Sequence, residues 1–167
     1  MEDRGRTPSG RAATQVILST FRTNGLLLAA GDLLGGDEGL TAARWQVLGA
    51  IVIAEHPLTV PQIARRMGLT RQSVHATVKR LEDDGLLELA RNADHRRSQL
   101  VCVTELGRTK YSAIDERQAM WVNRLAGRIG RADLENTARV LNELCRRLEA
   151  DGVADVVSRA KTDGLRA

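Results

Sequence analysis

Leu69-Thr70-Arg71-Gln72-Ser73-Val74-His75-Ala76-Thr77-Val78-Lys79-Arg80-Leu81-Glu82-Asp83-Asp84-Gly85 is the stretch whose reading decides the fold. Thr70 stands where an N-cap belongs, with a hydroxyl able to accept a hydrogen bond from a free amide of the first helical turn. Leu69 before it and Val74 inside it form a hydrophobic staple. Gly85 is the residue type that closes helices in the left-handed conformation. At about 100° per residue, Val74, Val78 and Leu81 share one face, and Gln72, Ser73, Ala76, Lys79 and Arg80 share the opposite one. That outward face is small, amide- or hydroxyl-bearing and basic. Such chemistry suits a helix laid in a DNA major groove, where amides read base edges and cations hold phosphate. Taken alone, the segment reads more readily as a solvated surface helix. Its neighbours reverse that.

Upstream, Thr59-Val60-Pro61-Gln62 fits a capping box, with Leu58 and Ile63 as its staple. This helix ends at Met67-Gly68, and only Gly68-Leu69 separates it from Thr70. Two short helices joined by such a turn make a helix-turn-helix, with the second as recognition helix. Downstream, residues 86–91 read as a strand and residues 99–103 as its partner, with the polar, basic loop 92–98 between them. A hairpin tipped by adjacent arginines after a recognition helix is a wing, able to enter the minor groove. The expected DNA contacts are therefore Thr70, Arg71, Gln72, Ser73, Ala76, Thr77, Lys79 and Arg80 on the helix, with His95, Arg96 and Arg97 on the wing.

The flanks are helical. Residues 1–10 read as a disordered lead, and Ala13, Val16, Ile17, Thr20, Phe21, Leu27 and Leu28 support a long helix from Arg11 to about Leu34. Gly35-Gly36-Asp37-Glu38-Gly39 breaks it. A second helix starts at an N-cap Thr41, stapled by Leu40 and Trp45, and stops at His56-Pro57. Thr104 caps a helix running to about Gly127. The last helix, 131–150, repeats Leu134, Ala138, Leu141, Cys145 and Leu148 in a heptad-like seam, the pattern of a helix packing against partner helices. The fold class is mainly α with a small β-hairpin wing (α+β). Residues 11–39 and 105–150 are expected to serve dimerisation, 40–104 to form the DNA-binding domain, and 151–167 to be a frayed tail. Val16, Leu134, Ala138, Leu141, Leu144, Cys145 and Leu148 are the expected dimer-interface residues.

Composition agrees. The 167 residues are 43% hydrophobic and 28% charged, as in an ordinary globular protein, with a formal charge of +4. Between Pro61 and Lys110 stand ten Lys/Arg against six acids, so this segment alone carries an excess equal to the whole chain's. A basic segment favours an acidic partner. Phe21, Trp45, Tyr111 and Trp121 are the only aromatics, too few for the stacking platforms of single-strand binders, so duplex DNA is the better candidate. There is no HExxH, no Gly-rich phosphate loop and no paired catalytic carboxylates, so the expectation is no enzyme, no cofactor and no metal. The two cysteines, Cys102 and Cys145, are too few for a disulfide framework. With no apolar signal core and no run approaching the roughly 20 residues of a membrane span, a cytoplasmic protein without membrane contact is expected.

Element order and motif wording together resemble the MarR (multiple antibiotic resistance regulator) family of winged-helix regulators, from about Ala12 to Ala150. The resemblance rests on Leu40-Thr41-Ala42-Ala43-Arg44-Trp45-Gln46-Val47-Leu48, on Gln62-Ile63-Ala64 with Gly68-Leu69-Thr70, and on Val78 to Leu87. It closes with Arg96-Arg97-Ser98, Leu100-Val101 and Val103-Thr104-Glu105-Leu106-Gly107. It implies a homodimer whose terminal helices pack together on a palindromic operator, most often as a repressor. It also implies release by a small, often phenolic, ligand in a cleft between the dimerisation and DNA-binding parts, where Phe21 and Trp45 are the candidate contacts. Family wings usually carry an acid two residues before the groove-entering arginine. Here His95 holds that place before Arg97, and Asp94 stands one residue earlier. No cysteine lies in the N-terminal helix, where some relatives sense peroxide. The reading from another class is a winged interaction module that contacts protein rather than an operator.

Overall fold

A computed structural model describes residues 5–93 and 98–150. In chain order the elements are α1 (Pro8–Gly35), a 3-10 turn (Gly36–Glu38), α2 (Ala42–Val52), β1 (Leu58–Thr59), α3 (Val60–Met67), α4 (Arg71–Asp83), β2 (Leu87–Ala90), β3 (Leu100–Val103), α5 (Glu105–Ala126) and α6 (Arg131–Ala150). The chain divides into two compact units, Met1–Gln118 and Ala119–Ala167.

The caps follow local chemistry. α1 begins before the apolar repeat does, because Thr7 accepts from the Gly10 amide at 3.0 Å and Pro8 occupies the first turn, where its missing N–H costs nothing. Thr41 accepts from the Arg44 amide at 3.4 Å. In the capping box at α3, the Thr59 amide donates to Gln62 Oε1 at 2.7 Å. Its staple partners Leu58 and Ile63 are both buried, whereas Leu69, before α4, keeps 39% of its surface exposed.

The hairpin of β2 and β3 pairs Leu87 with Val103 and Ala90 with Leu100. The sheet also holds a third strand that local patterning did not announce. β1 lies antiparallel to β3, Leu58 opposite Val101 and Thr59 opposite Leu100, giving the order β1-β3-β2. The same two residues thus serve as strand, staple and cap.

The core of the first unit gathers Val47, Leu48 and Ile51 of α2, Leu58, Ile63, the inward face of α4, Leu86, Leu87, Val101 and Ile114. Its tightest joint is at the start of α5. Thr104 accepts from the Gly107 amide at 3.1 Å and donates to the Gly85 carbonyl at 2.8 Å. A Cβ on Gly107 would stand 2.2 Å from the Leu86 carbonyl oxygen, which explains the glycine in Thr104-Glu105-Leu106-Gly107.

In the second unit, none of the described residues of α6 is buried. Along its surface Glu143 bonds Arg147 at 2.6 Å and pairs with Arg146. The Arg147 hydrogen bond holds the Glu143 carboxyl below its ordinary range against an opposing desolvation, and the Arg146 and Arg147 charges assist it. With the folded pKa lowered, this contribution is present at neutral pH and fades as pH falls through the carboxylate range.

The joint at α5 sets two expected outcomes. Gly107→Ala should cost about 1–3 kcal/mol by overpacking, and Thr104→Val about 1 kcal/mol by loss of the cap. Urea denaturation checks both, and a Gly107→Ala protein as stable as wild type would contradict the joint.

Candidate nucleic-acid interface

The surface that could meet DNA is built by two helices and the turn between them. Gly68 adopts φ +61°, a conformation that costs side-chain-bearing residues free energy and glycine little. The Leu69 amide then reaches back to the Ala64 carbonyl at 2.9 Å, closing α3 in a Schellman-type turn. Thr70 starts α4 immediately, its hydroxyl accepting from the Ser73 amide at 3.2 Å.

α4 is two-faced. Val74, Val78 and Leu81 are all less than 5% exposed. Arg71, Gln72, Ser73, Ala76, Lys79 and Arg80 are exposed. Thr70 and Thr77 are half-buried, and their hydroxyls are engaged locally, Thr70 on the cap and Thr77 on the Ser73 carbonyl at 3.0 Å. These two therefore fit the role of shaping the helix better than that of reading a base.

The cations of this face are differently prepared. Lys79 is tied to Asp83 at 3.0 Å, one helical turn on. That hydrogen bond, with the charges of Asp83 and Glu82, raises the Lys79 pKa, so it stays cationic well into alkaline solution. A phosphate would have to draw it from Asp83. Three exposed side chains extend the surface beyond the expected set. His75 lies on the flank of α4 between Arg71 and Lys79, and Arg65 and Arg66 end α3. A wheel centred on the outermost residues passes over His75, although its i,i+4 spacing to Arg71 and Lys79 was there to be read.

The wing is described up to Ala93 and again from Ser98, and its strands are held by the β2–β3 ladder. His95, Arg96 and Arg97 lie outside the described residues.

The candidate ligand contacts fare differently from each other. Phe21 is 71% exposed on α1. Trp45 is half-buried with its ring beside Gly31, and its indole Nε1 is buried with no hydrogen-bond partner among the described residues. Gly31 lies ten residues from Phe21, about 15 Å along the helix, and no described contact joins the two aromatics. Of the expected dimer-interface residues, Val16, Leu141 and Leu144 are half-buried within the single chain, and Leu134, Ala138, Cys145 and Leu148 are exposed. Burial, with Glu88 second, pushes the Cys102 thiol up, which keeps it protonated and a poor nucleophile. Among the described residues no three His, Cys, Asp or Glu could share a metal ion, and no helix is long and apolar enough to cross a membrane.

Comparison with known proteins places this geometry. A model of the MarR family matches residues 38–98, the span from the 3-10 turn to the wing. An uncharacterised protein of Mycobacterium tuberculosis is 41% identical over 137 residues, covering 82% of this chain and 94% of that protein. The transcriptional activatory protein BadR of Rhodopseudomonas palustris is 30% identical over 98 residues, 58% of this chain and 56% of BadR. Among solved structures, the transcriptional regulator BldR of Sulfolobus solfataricus superposes with a TM-score of 0.73 at 22% identity, over 85% of this chain and 99% of BldR. The M. tuberculosis regulator MOSR, solved in complex with DNA, gives 0.68 at 22% identity over 80% and 96%. CouR of Rhodococcus jostii, bound to p-coumaroyl-CoA, gives 0.68 at 22% identity over 74% and 87%. At that identity the structures establish the shared winged-helix fold.

The two-faced helix predicts a division of labour. Gln72→Ala should change which base is preferred at one position of a selected binding site, at about 1–3 kcal/mol for a lost bidentate contact. Lys79→Ala should weaken all duplexes about equally, and Asp83→Asn, by releasing Lys79, should strengthen all of them. Binding-site selection and fluorescence anisotropy read these changes. An unaltered base preference in Gln72→Ala would remove that residue from the reading set.

Proposed function

The chain belongs to the MarR family of transcriptional regulators, and on that premise we propose that it is a homodimeric repressor, held on a palindromic operator and released by a small aromatic ligand. The observation that carries the DNA-binding part is the rigid presentation of Arg71, Gln72, Ser73, Ala76, Lys79 and Arg80 opposite the buried Val74, Val78 and Leu81. MOSR, with the same fold, was solved on DNA. The wing residues His95, Arg96 and Arg97 extend the proposed contact into the adjacent minor groove.

Homodimerisation is supported by the apolar seam of α6, exposed or half-buried within one chain at Leu134, Ala138, Leu141, Leu144, Cys145 and Leu148. A stripe of that size is stable in water when a partner covers it. Ligand release is supported by the buried indole N–H of Trp45, which has no hydrogen-bond partner among the described residues and is of the type that donates to a carbonyl or carboxylate. CouR, of the same fold, holds a p-coumaroyl thioester. A ligand releases DNA by preferring the dimer spacing that cannot span two half-sites, and each tenfold loss of operator affinity needs about 1.4 kcal/mol of that preference. BadR, an activatory protein, favours a second reading for the direction of control, in which the bound dimer assists transcription. The protein would act in the cytoplasm, with no cofactor.

Selection of binding sites from random duplex DNA tests the proposal. A palindromic consensus is expected, and engagement of about five cations per protomer gives a log–log salt slope near −9, at about −0.9 per phosphate. A slope shallower than about −3 would rule out this mode. Leu141→Asp should yield monomers in sedimentation and lose the selected duplex at the same time, because a buried unpaired charge is costly. A Leu141→Asp protein that remains fully dimeric would contradict the α6 interface.

A further inference from the structure

The end of α4 carries three successive acids, Glu82, Asp83 and Asp84, where the helix's own partial charge is negative and unwelcoming to them. Asp83 is answered within the helix by Lys79. Asp84, the C-cap residue, is answered from another element, because its carboxylate pairs with the guanidinium of Arg44 on α2. The arginine is the fixed end of this pair, with a side chain 19% exposed against 52% for Asp84. Its second nitrogen donates to the Gly39 carbonyl at 3.2 Å, and its backbone amide donates to the Thr41 cap.

The same turn of α2 is held from its other side. Asp32 of α1 accepts from the Ala42 amide at 2.7 Å. The contact at Gly31 is so close that a Cβ there would lie 2.7 Å from the Ala42 Cβ. The first turn of α2 is therefore a joint between the long N-terminal helix and the far end of the recognition helix. The near end of α4 is already set by Gly68 and the Thr70 cap.

We infer that Arg44 is a positioning residue for operator recognition. Through Asp84 it fixes the C-terminal end of α4 against the α1–α2 joint, and so sets the angle at which Gln72 and its neighbours are presented. The inference rests on the DNA-binding reading above. A half-exposed ion pair contributes little to folding, since α4 is anchored by its apolar face. The planar guanidinium, with one arm on Gly39 and the other on Asp84, restrains the direction of α4, a role lysine could not fill.

The sign of one substitution separates positioning from simple charge. Asp84→Asn removes a negative charge from a DNA-facing helix, so a pure field effect tightens binding to every duplex. Positioning predicts instead that the selected duplex is lost relative to a scrambled one. The readout is the ratio of affinities for a duplex selected by wild type and for its scrambled counterpart, with thermal melts run alongside. Asp84→Asn and Arg44→Gln should each lower that ratio about tenfold, or about 1.4 kcal/mol, while Asp84→Asn melts close to wild type. Arg44→Lys, which keeps the charge but cannot hold the Gly39 carbonyl and Asp84 at once, should lower the ratio as well. An Asp84→Asn protein with the wild-type ratio, or a higher one, would overturn the inference while leaving the DNA-binding reading intact. Wild-type protein that binds neither duplex would overturn both.

Discussion

Val74, Val78 and Leu81 pack one side of a thirteen-residue helix into a core shared with Leu48, Ile51, Ile63 and Val101, and the whole proposed binding surface depends on that contact. Burying each such side chain is worth about 1.5–3 kcal/mol, so α4 has one favourable rotation. A turn of the helix by one residue, about 100°, would carry His75 and Lys79 toward the core and expose aliphatic surface. The outward residues are thus held in place by what lies behind them. Nothing on the DNA side is needed to order them, and the entropy of arranging the reading face is spent on folding rather than on binding.

Two kinds of joint extend this order beyond α4. Short-range joints set its start: the left-handed Gly68, the Thr70 cap and the capping box of α3. Long-range joints set its end: Thr104 on the Gly85 carbonyl, Gly107 against Leu86, and Arg44 on Asp84. The acids at the end of α4 soften the field of its cations, and in the proposed complex Lys79 would exchange Asp83 for phosphate. On the proposed reading, affinity for duplex DNA is expected to be less than the count of basic residues alone suggests, while the orientation of the helix is better defined.

The sequence made the short-range features plain because their rules span only a few residues. Thr41, Thr59-Gln62, Thr70 and Thr104 cap the helices assigned to them, and Val74, Val78 and Leu81 are the buried face. What it hid depends on distant partners. β1 is two residues long and owes its existence to Leu100 and Val101, some forty residues away; locally it reads only as staple and cap. Arg44 and Asp84 are likewise forty residues apart, so Asp84 reads as a solvated helix terminator until the fold brings them together. The start of α1 at Pro8 was obscured for the opposite reason: its cap lies ahead of the apolar repeat that draws attention to the helix. Seam residues of α6 read as a partner surface; within the single chain Leu134, Ala138, Cys145 and Leu148 are exposed and Leu141 and Leu144 half-buried.

Hydroxyl-radical footprinting of the protein on its selected duplex tests most directly that two copies present α4 to one face of DNA. The account predicts a pattern with twofold symmetry, its two protected half-sites centred one helical turn, about 10–10.5 base pairs, or a multiple of it, apart. A single asymmetric protected segment, or protection without that spacing, would contradict it.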